Sequence, residues 1–296
     1  MEKELVMNAS NTEMEETNRS LKRKEKGEKT KKAFALTFVW VMLLLMYLPI
    51  MYLIIYSFTD AKVIGQWQGF NFDCYSTLFD SENQYAQEIW VATWNTVWVA
   101  IVASTLSTVL GTAGAIGMHY LGKKLKTVFN FANEIPIVNA EIVMALSLVI
   151  LFAVLGLPTT AFSLVIGHMV LTIPFVVINV QPKLEQMDPS LYEAAMDLGA
   201  SRAGALFKVM IPDIMPGVFS GFMISMTLSL DDFVITEFTK PSVGEDFQTI
   251  STYVQGHLAK GSIPIQIRSF TTIIFVLIVA VMIGYTIVNN RKAKKI

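Results

Sequence analysis

The feature that most constrains the fold is a series of six long apolar stretches in a chain of 296 residues. A helix needs about 20 predominantly apolar residues to cross the hydrocarbon core of a bilayer, and each stretch provides that length. Charged residues make up 16% of the chain, below the roughly 25% of an average soluble protein. We therefore expect an all-α membrane protein with six transmembrane helices. The predicted spans cover residues 33–58, 89–118, 135–155, 160–180, 214–235 and 269–288.

The distribution of lysine and arginine predicts on which side of the membrane each connection lies. With six spans, eighteen of these residues fall in residues 19–32 of the first tail, the loops after the second and fourth spans, and the C-terminal tail. The opposite side holds only four: Lys62, Lys240, Lys260 and Arg268. Cytoplasmic loops carry an excess of basic residues. Both termini are therefore predicted to be cytoplasmic.

The segments outside this helical core are polar. Residues 1–32 hold 16 of the 47 charged residues and cannot bury enough apolar surface to order themselves, so we predict a disordered cytoplasmic tail. The apolar run at 33–58 is longer than the 7–15 residues of a signal peptide, which indicates a retained first transmembrane helix. Residues 59–88 are predicted to be extracytoplasmic, 89–288 to form a core of five spans, and 289–296 to form a cytoplasmic tail. The single cysteine excludes an internal disulfide, and no basic face indicates nucleic acid.

The loop at residues 181–212, between the fourth and fifth predicted spans, has the pattern of short helices. Asp188 followed by Pro189 predicts a helix that starts with an N-cap and a proline in its first turn. Gly199 predicts its end, because glycine readily adopts the left-handed conformation found at helix C-termini. Ser201 is then predicted to cap a second short helix that Pro212 ends.

Within this loop, Glu193, Ala194, Ala195, Gly199 and residues 209–212 form a pattern that resembles the coupling loop of ABC importer permeases. Their pattern is E-A-A, three residues, G, nine residues and then I-x-L-P, and this chain has valine and isoleucine at the two apolar positions of the last element. The resemblance implies the type I ABC importer permease fold and a loop that docks on a cytoplasmic ATPase subunit. The coupling residues that it implies are Glu193, Ala194, Ala195, Asp197, Gly199, Ile211 and Pro212.

A nucleotide site is not expected in this chain. Residues 117–124 have the glycine spacing of a phosphate-binding loop, but a lysine stands where serine or threonine is required and a membrane helix precedes the segment instead of a strand. ATP and Mg²⁺ are therefore expected on a partner ATPase. We predict no catalytic residue, no metal site and no cofactor in this chain.

Asp231 and Asp232 are the sharpest candidates for a substrate path, because carboxylates inside a span are costly and are functional candidates by default. Near the outer end of the fifth span they would attract a cation, although one of them could have a structural role instead. Residues 227–235 resemble the membrane-helix signature of spermidine/putrescine importer permeases, most of all the second permease of the pair. Residues 141–148, 167–168 and 174–176 support the resemblance. It implies polyamine import by alternating access.

Four more side chains are candidates for this path. Trp94 and Trp98 share one face of the second span, as an interfacial aromatic belt or as part of a cation path. Glu141, predicted one to two turns into the third span from the cytoplasmic side, is an exit-side carboxylate, a helix cap or a hydrogen-bonding partner. His168 lies in the fourth span, as a residue satisfied by internal hydrogen bonds or as a switch.

The resemblance also implies partners in the bacterial inner membrane: a second permease subunit, a homodimeric cytoplasmic ATPase, an extracytoplasmic substrate-binding protein, and membrane lipid. Two alternatives remain open. The cargo could be another small solute, such as iron, an amino acid, a sugar or an opine. A stand-alone channel or secondary transporter would carry out transport without an ATPase.

Overall fold

The computed structural model describes residues 31–59, 67–241, 247–261 and 263–293, and every regular element within these residues is helical. The predicted tail at 1–32 lies outside the described residues, except for Lys31 and Lys32, which begin the first helix. The helices are α1 Lys31–Tyr56, α2 Asp73–Leu78, α3 Gln84–His119, α4 Lys123–Val138, α5 Glu141–Val154, α6 Ala161–Gln186, α7 Pro189–Asp197, α8 Arg202–Ala205, α9 Ile211–Asp231, α10 Val234–Thr239, α11 Ile250–Ala259 and α12 Ile265–Ala293.

The chain divides into two units, of which the first comprises the described parts of Met1–Tyr75 and Arg268–Ile296. An aromatic cluster lies beyond the end of α1, where the rings of Phe58 and Phe70 stack with centroids 5.1 Å apart. Tyr75 joins this cluster, and its hydroxyl lies 2.7 Å from the Ser57 hydroxyl. The Ser269 hydroxyl of α12 donates to the Cys74 carbonyl at 2.8 Å, which fixes α12 within this unit.

The second unit, Ser76–Ile267, is built on α3, α6 and α9, which pack against one another. Gly111 of α3 and Gly221 of α9 both lie against Val176 of α6. A Cβ atom added at Gly111 would come within 2.8 Å of the Val176 Cβ, and one added at Gly221 within 3.1 Å of its Cα. Small residues at such crossings let helix backbones approach closely inside a membrane. The three helices therefore form the rigid centre of this unit.

Within the described residues, five helical segments are long and apolar enough to cross a membrane, or six if a strongly bent pair counts as one span. The bent pair is α4 and α5, which meet at 106°. The prediction of one continuous helix over 135–155 is therefore wrong. Asn139 and Ala140 are both extended, with ψ of 146° and 133°, and Pro136 removes a backbone donor from the last turn of α4. Hydropathy did not reveal the break because the residues on both sides of it are apolar.

The fifth predicted span differs at both ends. Pro212 does not end a helix, because a π-helical turn at Leu206–Met210 joins α8 to α9 in one segment, Arg202–Asp231. In that turn the Ile211 N–H donates to the Leu206 carbonyl, five residues back, and the wider turn accommodates a proline that a regular helix interior would reject. At the other end, the helix predicted to run to residue 235 stops at Asp231 and restarts as α10.

Candidate functional site

The coupling loop begins at Asp188, whose carboxylate accepts a hydrogen bond from the Ser190 N–H at 2.9 Å. Pro189 occupies the first turn of α7, so the predicted helix start is confirmed. The backbone N–H of Ser190 stabilises the ionised carboxylate and thereby holds the pKa of Asp188 below its ordinary value. The result is a capped, well-defined start for an otherwise short helix.

The end of α7 is also as predicted. Gly199 has a φ of +88°, in the left-handed region, and its N–H donates to the Met196 carbonyl at 2.9 Å. Ser201 then caps α8, its hydroxyl accepting from the Gly204 N–H at 3.1 Å. The chain reverses sharply here because glycine tolerates this backbone conformation.

Helix α7, whose residues are all described, has no buried side chain. Glu193, Ala194 and Asp197 are exposed, and Ala195 is partly buried. Leu198 is 90% exposed, an unusual position for a large apolar side chain. Tyr192 anchors the helix, since its hydroxyl donates to the Arg202 carbonyl at 3.4 Å and its ring lies 6.4 Å from that of Tyr120, just beyond α3. The Tyr192 contacts therefore hold α7 in place while its other side chains remain largely exposed.

The last two predicted coupling residues lie elsewhere. Ile211 and Pro212 form the first turn of α9, partly buried and exposed respectively. The nearby core includes Met210 and Ile214 and extends to α6. The structure therefore connects the loop directly to a long helix of the bundle.

The two aspartates of the fifth span have different environments. Asp231 is exposed at the last position of α9. Asp232 is 6% exposed and lies in the break between α9 and α10. Its carboxylate accepts from the backbone N–H groups of Ile235 at 3.2 Å and Thr236 at 2.7 Å, and from the Thr236 hydroxyl at 2.8 Å. The Asp232 carboxylate therefore begins α10, in the way that an N-cap residue does.

His168 is buried beside Asp232 and is held by hydrogen bonds at both ring nitrogens. Nδ1 lies 2.7 Å from the Ser229 hydroxyl, and Nε2 lies 2.9 Å from the Thr236 hydroxyl. Nε2 is also 3.6 Å from the Asp232 Oδ2. Of the two alternatives for His168, the structure favours the satisfied internal histidine.

The other path candidates remain apart from this cluster. Glu141 is exposed as the first residue of α5, so its prediction one to two turns into a continuous third span is wrong, because the helix breaks just before it. Trp94 is 69% exposed. Trp98 is partly buried, with its indole N–H directed at the Asn95 side-chain oxygen at 3.4 Å and its ring 6.2 Å from Phe247. The two tryptophans therefore have different environments, although their helical spacing places them on one face.

Sequence reasoning missed Ser229 and Thr236. The available signal was their spacing, three residues before and four after a carboxylate that must find partners inside an apolar segment. Among the described residues, no group of three or more histidine, cysteine, aspartate or glutamate side chains is arranged to hold a metal ion.

Comparison with known proteins identifies the family to which this architecture belongs. The model of the binding-protein-dependent transport system inner membrane component family matches residues 107–294, which include α7 and the break at Asp232. The chain belongs to this family. It is therefore an inner-membrane component of a bacterial transport system, as the coupling-loop motif indicated.

Two relatives cover most of the chain. The spermidine/putrescine transport system permease protein PotC of Escherichia coli (strain K12) is 30% identical over 251 residues, which is 84% of this chain and 91% of the relative. The putrescine transport system permease protein PotI of the same strain is 30% identical over 236 residues, 77% of this chain and 81% of the relative.

A solved structure supports the fold. The crystal structure of a bacterial ABC transporter involved in the import of the acidic polysaccharide alginate matches with a TM-score of 0.61 and 18% identity. The match covers 89% of this chain and 97% of the other. It confirms the predicted importer permease fold.

Proposed function

We propose that this chain is a permease subunit of an ATP-driven importer that moves polyamines across the inner membrane by alternating access. The observation that carries the proposal is 30% identity to a spermidine/putrescine permease over 84% of the chain. A stretch of that length must include both the coupling loop and the break in the fifth span. A shared cargo class is the simplest account of such a match.

The exposed α7 supports a coupling role for the loop. An apolar side chain as exposed as Leu198, at the end of a helix that also exposes Glu193, suits a surface that another subunit covers. We assign ATP and Mg²⁺ binding, and hydrolysis, to that subunit, a homodimeric ATPase on the predicted cytoplasmic side. Closure of the ATPase dimer would press on α7 and, through the continuous segment Arg202–Asp231, on the fifth span.

The exposed carboxylates support a cationic cargo. Asp231 and Glu141 each lie at a helix end next to a break, and both are exposed. Ammonium groups bind carboxylates and the faces of aromatic rings, which Trp94 also offers. Asp232, in contrast, already accepts three hydrogen bonds within the protein. We therefore place Asp231, Glu141 and Trp94 on the cargo path, and assign Asp232 and His168 to its framework.

The complete importer would contain a second permease subunit, two copies of the ATPase and an extracytoplasmic binding protein. The binding protein would deliver cargo to the outer side, and the two permeases would enclose the path between them. Alternating access requires only that the spans change their arrangement, so no covalent chemistry falls to this chain.

Uptake of labelled spermidine and putrescine tests the proposal in cells that lack this chain and carry it on a plasmid. Wild type should restore uptake. Asp231→Asn and Glu141→Gln should each raise the KM about tenfold, the size expected from loss of one hydrogen bond to a charged group. Glu82→Gln, at an exposed carboxylate before α3, is the control and should behave as wild type. Restored uptake of a different solute, with none of either polyamine, would refute the cargo assignment.

A further inference from the structure

Four buried side chains connect the two halves of the broken fifth span, and we call them the joint. Ser229 precedes the break, Asp232 lies in it, Thr236 follows it, and His168 reaches them from α6. None of the four is more than 6% exposed. Polar groups buried to this degree must satisfy one another, because water cannot reach them.

The hydrogen-bond directions of the joint can be assigned in sequence. The Thr236 hydroxyl donates to Asp232 Oδ2 at 2.8 Å. The Thr236 oxygen then accepts from His168 Nε2–H at 2.9 Å. In the neutral ring, Nδ1 consequently accepts from the Ser229 hydroxyl at 2.7 Å. This chain of bonds fixes the Nε2–H tautomer of His168.

His168 is the one member of the joint that bonds to both sides of the break. Its Nδ1 meets Ser229 of α9, and its Nε2 meets Thr236 of α10. The backbone at Asp232 is extended, with ψ of 128°, so the helical ladder is interrupted there. The side-chain bonds of His168 therefore replace part of the backbone connection between the two helices.

The joint also determines where neighbouring elements lie. In α10, Ile235 packs against Met144 and Ala145 of α5. Glu141 lies one turn before Met144 on α5, and Asp231 immediately precedes Asp232 at the end of α9. The helices that carry the two exposed carboxylates are therefore connected through α10 and the joint.

We propose that His168, Ser229 and Thr236 are positioning residues for cargo selectivity: the joint sets the spacing between the Asp231 and Glu141 carboxylates, and this spacing selects among cations by the separation of their ammonium groups. The inference rests on the proposed polyamine function. It assigns His168 a role that requires no contact with cargo. It also gives the two adjacent aspartates different roles: Asp231 faces the cargo, and Asp232 accepts hydrogen bonds within the joint.

The decisive readout is the ratio of the KM values for spermidine and putrescine, measured by ATP-driven uptake into vesicles containing the complete importer. A general loss of folded protein lowers both uptake rates together and leaves this ratio unchanged, whereas altered spacing affects the two cargoes differently. Thr236→Val keeps the shape of the side chain and removes the hydroxyl. It should change the ratio about fivefold, the size expected for one lost hydrogen bond. Thr236→Ser keeps the hydroxyl and should stay within about twofold of wild type.

Two variants of His168 each keep one of its two side-chain hydrogen bonds. The His168→Gln amide extends to the Nε2 position and can still donate to Thr236, across the break. The His168→Asn amide reaches only as far as Nδ1, toward Ser229. Each variant therefore keeps one of the two bonds and loses the other, so we expect both His168→Gln and His168→Asn to shift the ratio, as Thr236→Val does.

The matched control is Thr172→Val, four residues from His168 on α6. The Thr172 hydroxyl is buried, donates to the His168 backbone carbonyl at 2.8 Å and lies 2.7 Å from the Ser107 hydroxyl, so its hydrogen bonds involve no side chain of the joint. This variant should lower the amount of assembled importer without moving the ratio. An equal ratio in wild type, Thr236→Val and His168→Asn would overturn the inference.

If the joint variants fail to assemble, Asp231→Glu provides a second measurement. Asp231 is exposed, so one added methylene lengthens its reach without disturbing the buried network. The spacing account predicts a changed ratio for this variant, and an unchanged ratio would contradict it. If the wild-type importer takes up neither polyamine, the proposed function itself has failed, which is a different outcome.

Discussion

The coupling loop and the joint are both built around a helix end, but the loop exposes its side chains and the joint buries them. The described residues of α7 bury no side chain, and Leu198 at its end is 90% exposed. At the joint, Asp232 is 6% and His168 1% exposed. Both ring nitrogens of His168 and the carboxylate of Asp232 have hydrogen-bonding partners within the chain. The exposed surface of the coupling loop is suited to contact with another subunit, whereas the joint satisfies its hydrogen bonds within the chain.

Two glycines show the same contrast. Gly199 in the loop has a φ of +88°, and among the described residues no atom lies within 4 Å of a Cβ added there. Gly167 beside the joint has ordinary helical geometry, but a Cβ added there would come within 2.7 Å of the Ile235 Cγ2 and 3.1 Å of the Thr239 Oγ1. The loop needs its glycine for backbone conformation, and the joint needs its glycine for space.

The largest expected effect is that of Asp232→Ala. Three donors lose their acceptor in a buried site: the Ile235 N–H, the Thr236 N–H and the Thr236 hydroxyl. We expect a loss of about 3–5 kcal/mol in the free energy of unfolding, measured by thermal unfolding of the purified protein in detergent. The neighbouring Asp231→Ala, at an exposed site, should change it by less than about 0.5 kcal/mol. Equal losses for the two variants would abolish the distinction between them.

Gly167→Ala should have the next largest effect. The added methyl group must displace Ile235, whose branched side chain cannot easily move aside, and overpacking of this kind costs about 1–3 kcal/mol. Gly114→Ala on α3 is the matched control, because among the described residues nothing lies within 4 Å of its added Cβ. That change should stabilise the helix slightly, by about 0.5–1 kcal/mol. The unfolding temperatures of the two variants should therefore move in opposite directions.

The sequence predicted the regular parts of the molecule well and its breaks poorly. Long apolar runs indicated α3 and α6, and the pairs Asp188–Pro189 and Gly199–Ser201 indicated the start and end of α7, because capping depends on local chemistry. The break before Glu141 escaped notice because a hydropathy window averages over two extended residues. Pro212 was wrongly read as a helix end because a π-helical turn before it depends on the packing of the whole segment.

In the candidate site, too, the sequence predicted some features and missed others. Asp231, Asp232 and His168 attracted attention because charged and polar side chains are costly inside a membrane. Nothing in the spacing showed that Asp232 points inward and Asp231 outward, since that follows from an extended backbone at residue 232. The tryptophans show the converse case: regular spacing placed Trp94 and Trp98 on one face, but the Phe247 ring lies 6.2 Å from Trp98 and Trp94 is 69% exposed.

Gly199→Ala should have a smaller effect on stability than on coupling. A non-glycine residue in the left-handed region costs about 1–2 kcal/mol, which the loop can relieve by shifting α7. We therefore expect little change in unfolding temperature but a clear loss of ATPase co-purification and of uptake. Gly122→Ala, where φ is −61°, serves as the control and should retain both. Full coupling in Gly199→Ala would show that the orientation of α7 is not important.

The smallest effect concerns pH and the N-cap of α7. The pKa of Asp188 is lower in the folded chain than in the unfolded one, because the Ser190 N–H stabilises the ionised form. The stabilisation it gives is therefore complete above the unfolded pKa of about 3.9 and is lost as the pH falls through the folded value. Hydrogen exchange of the α7 amides should accelerate in that acidic range beyond the intrinsic pH effect. In Asp188→Asn, which caps without titrating, the additional acceleration should be absent.

Uptake into sealed vesicles that contain the complete importer tests the central claim most directly, because the claim joins the exposed α7 to a cationic cargo. We predict that labelled spermidine accumulates only when ATP is available to the ATPase subunits. Glu193→Ala together with Gly199→Ala should abolish accumulation while leaving the joint and the unfolding temperature unchanged. Accumulation without ATP, or undiminished accumulation in the double variant, would contradict the account.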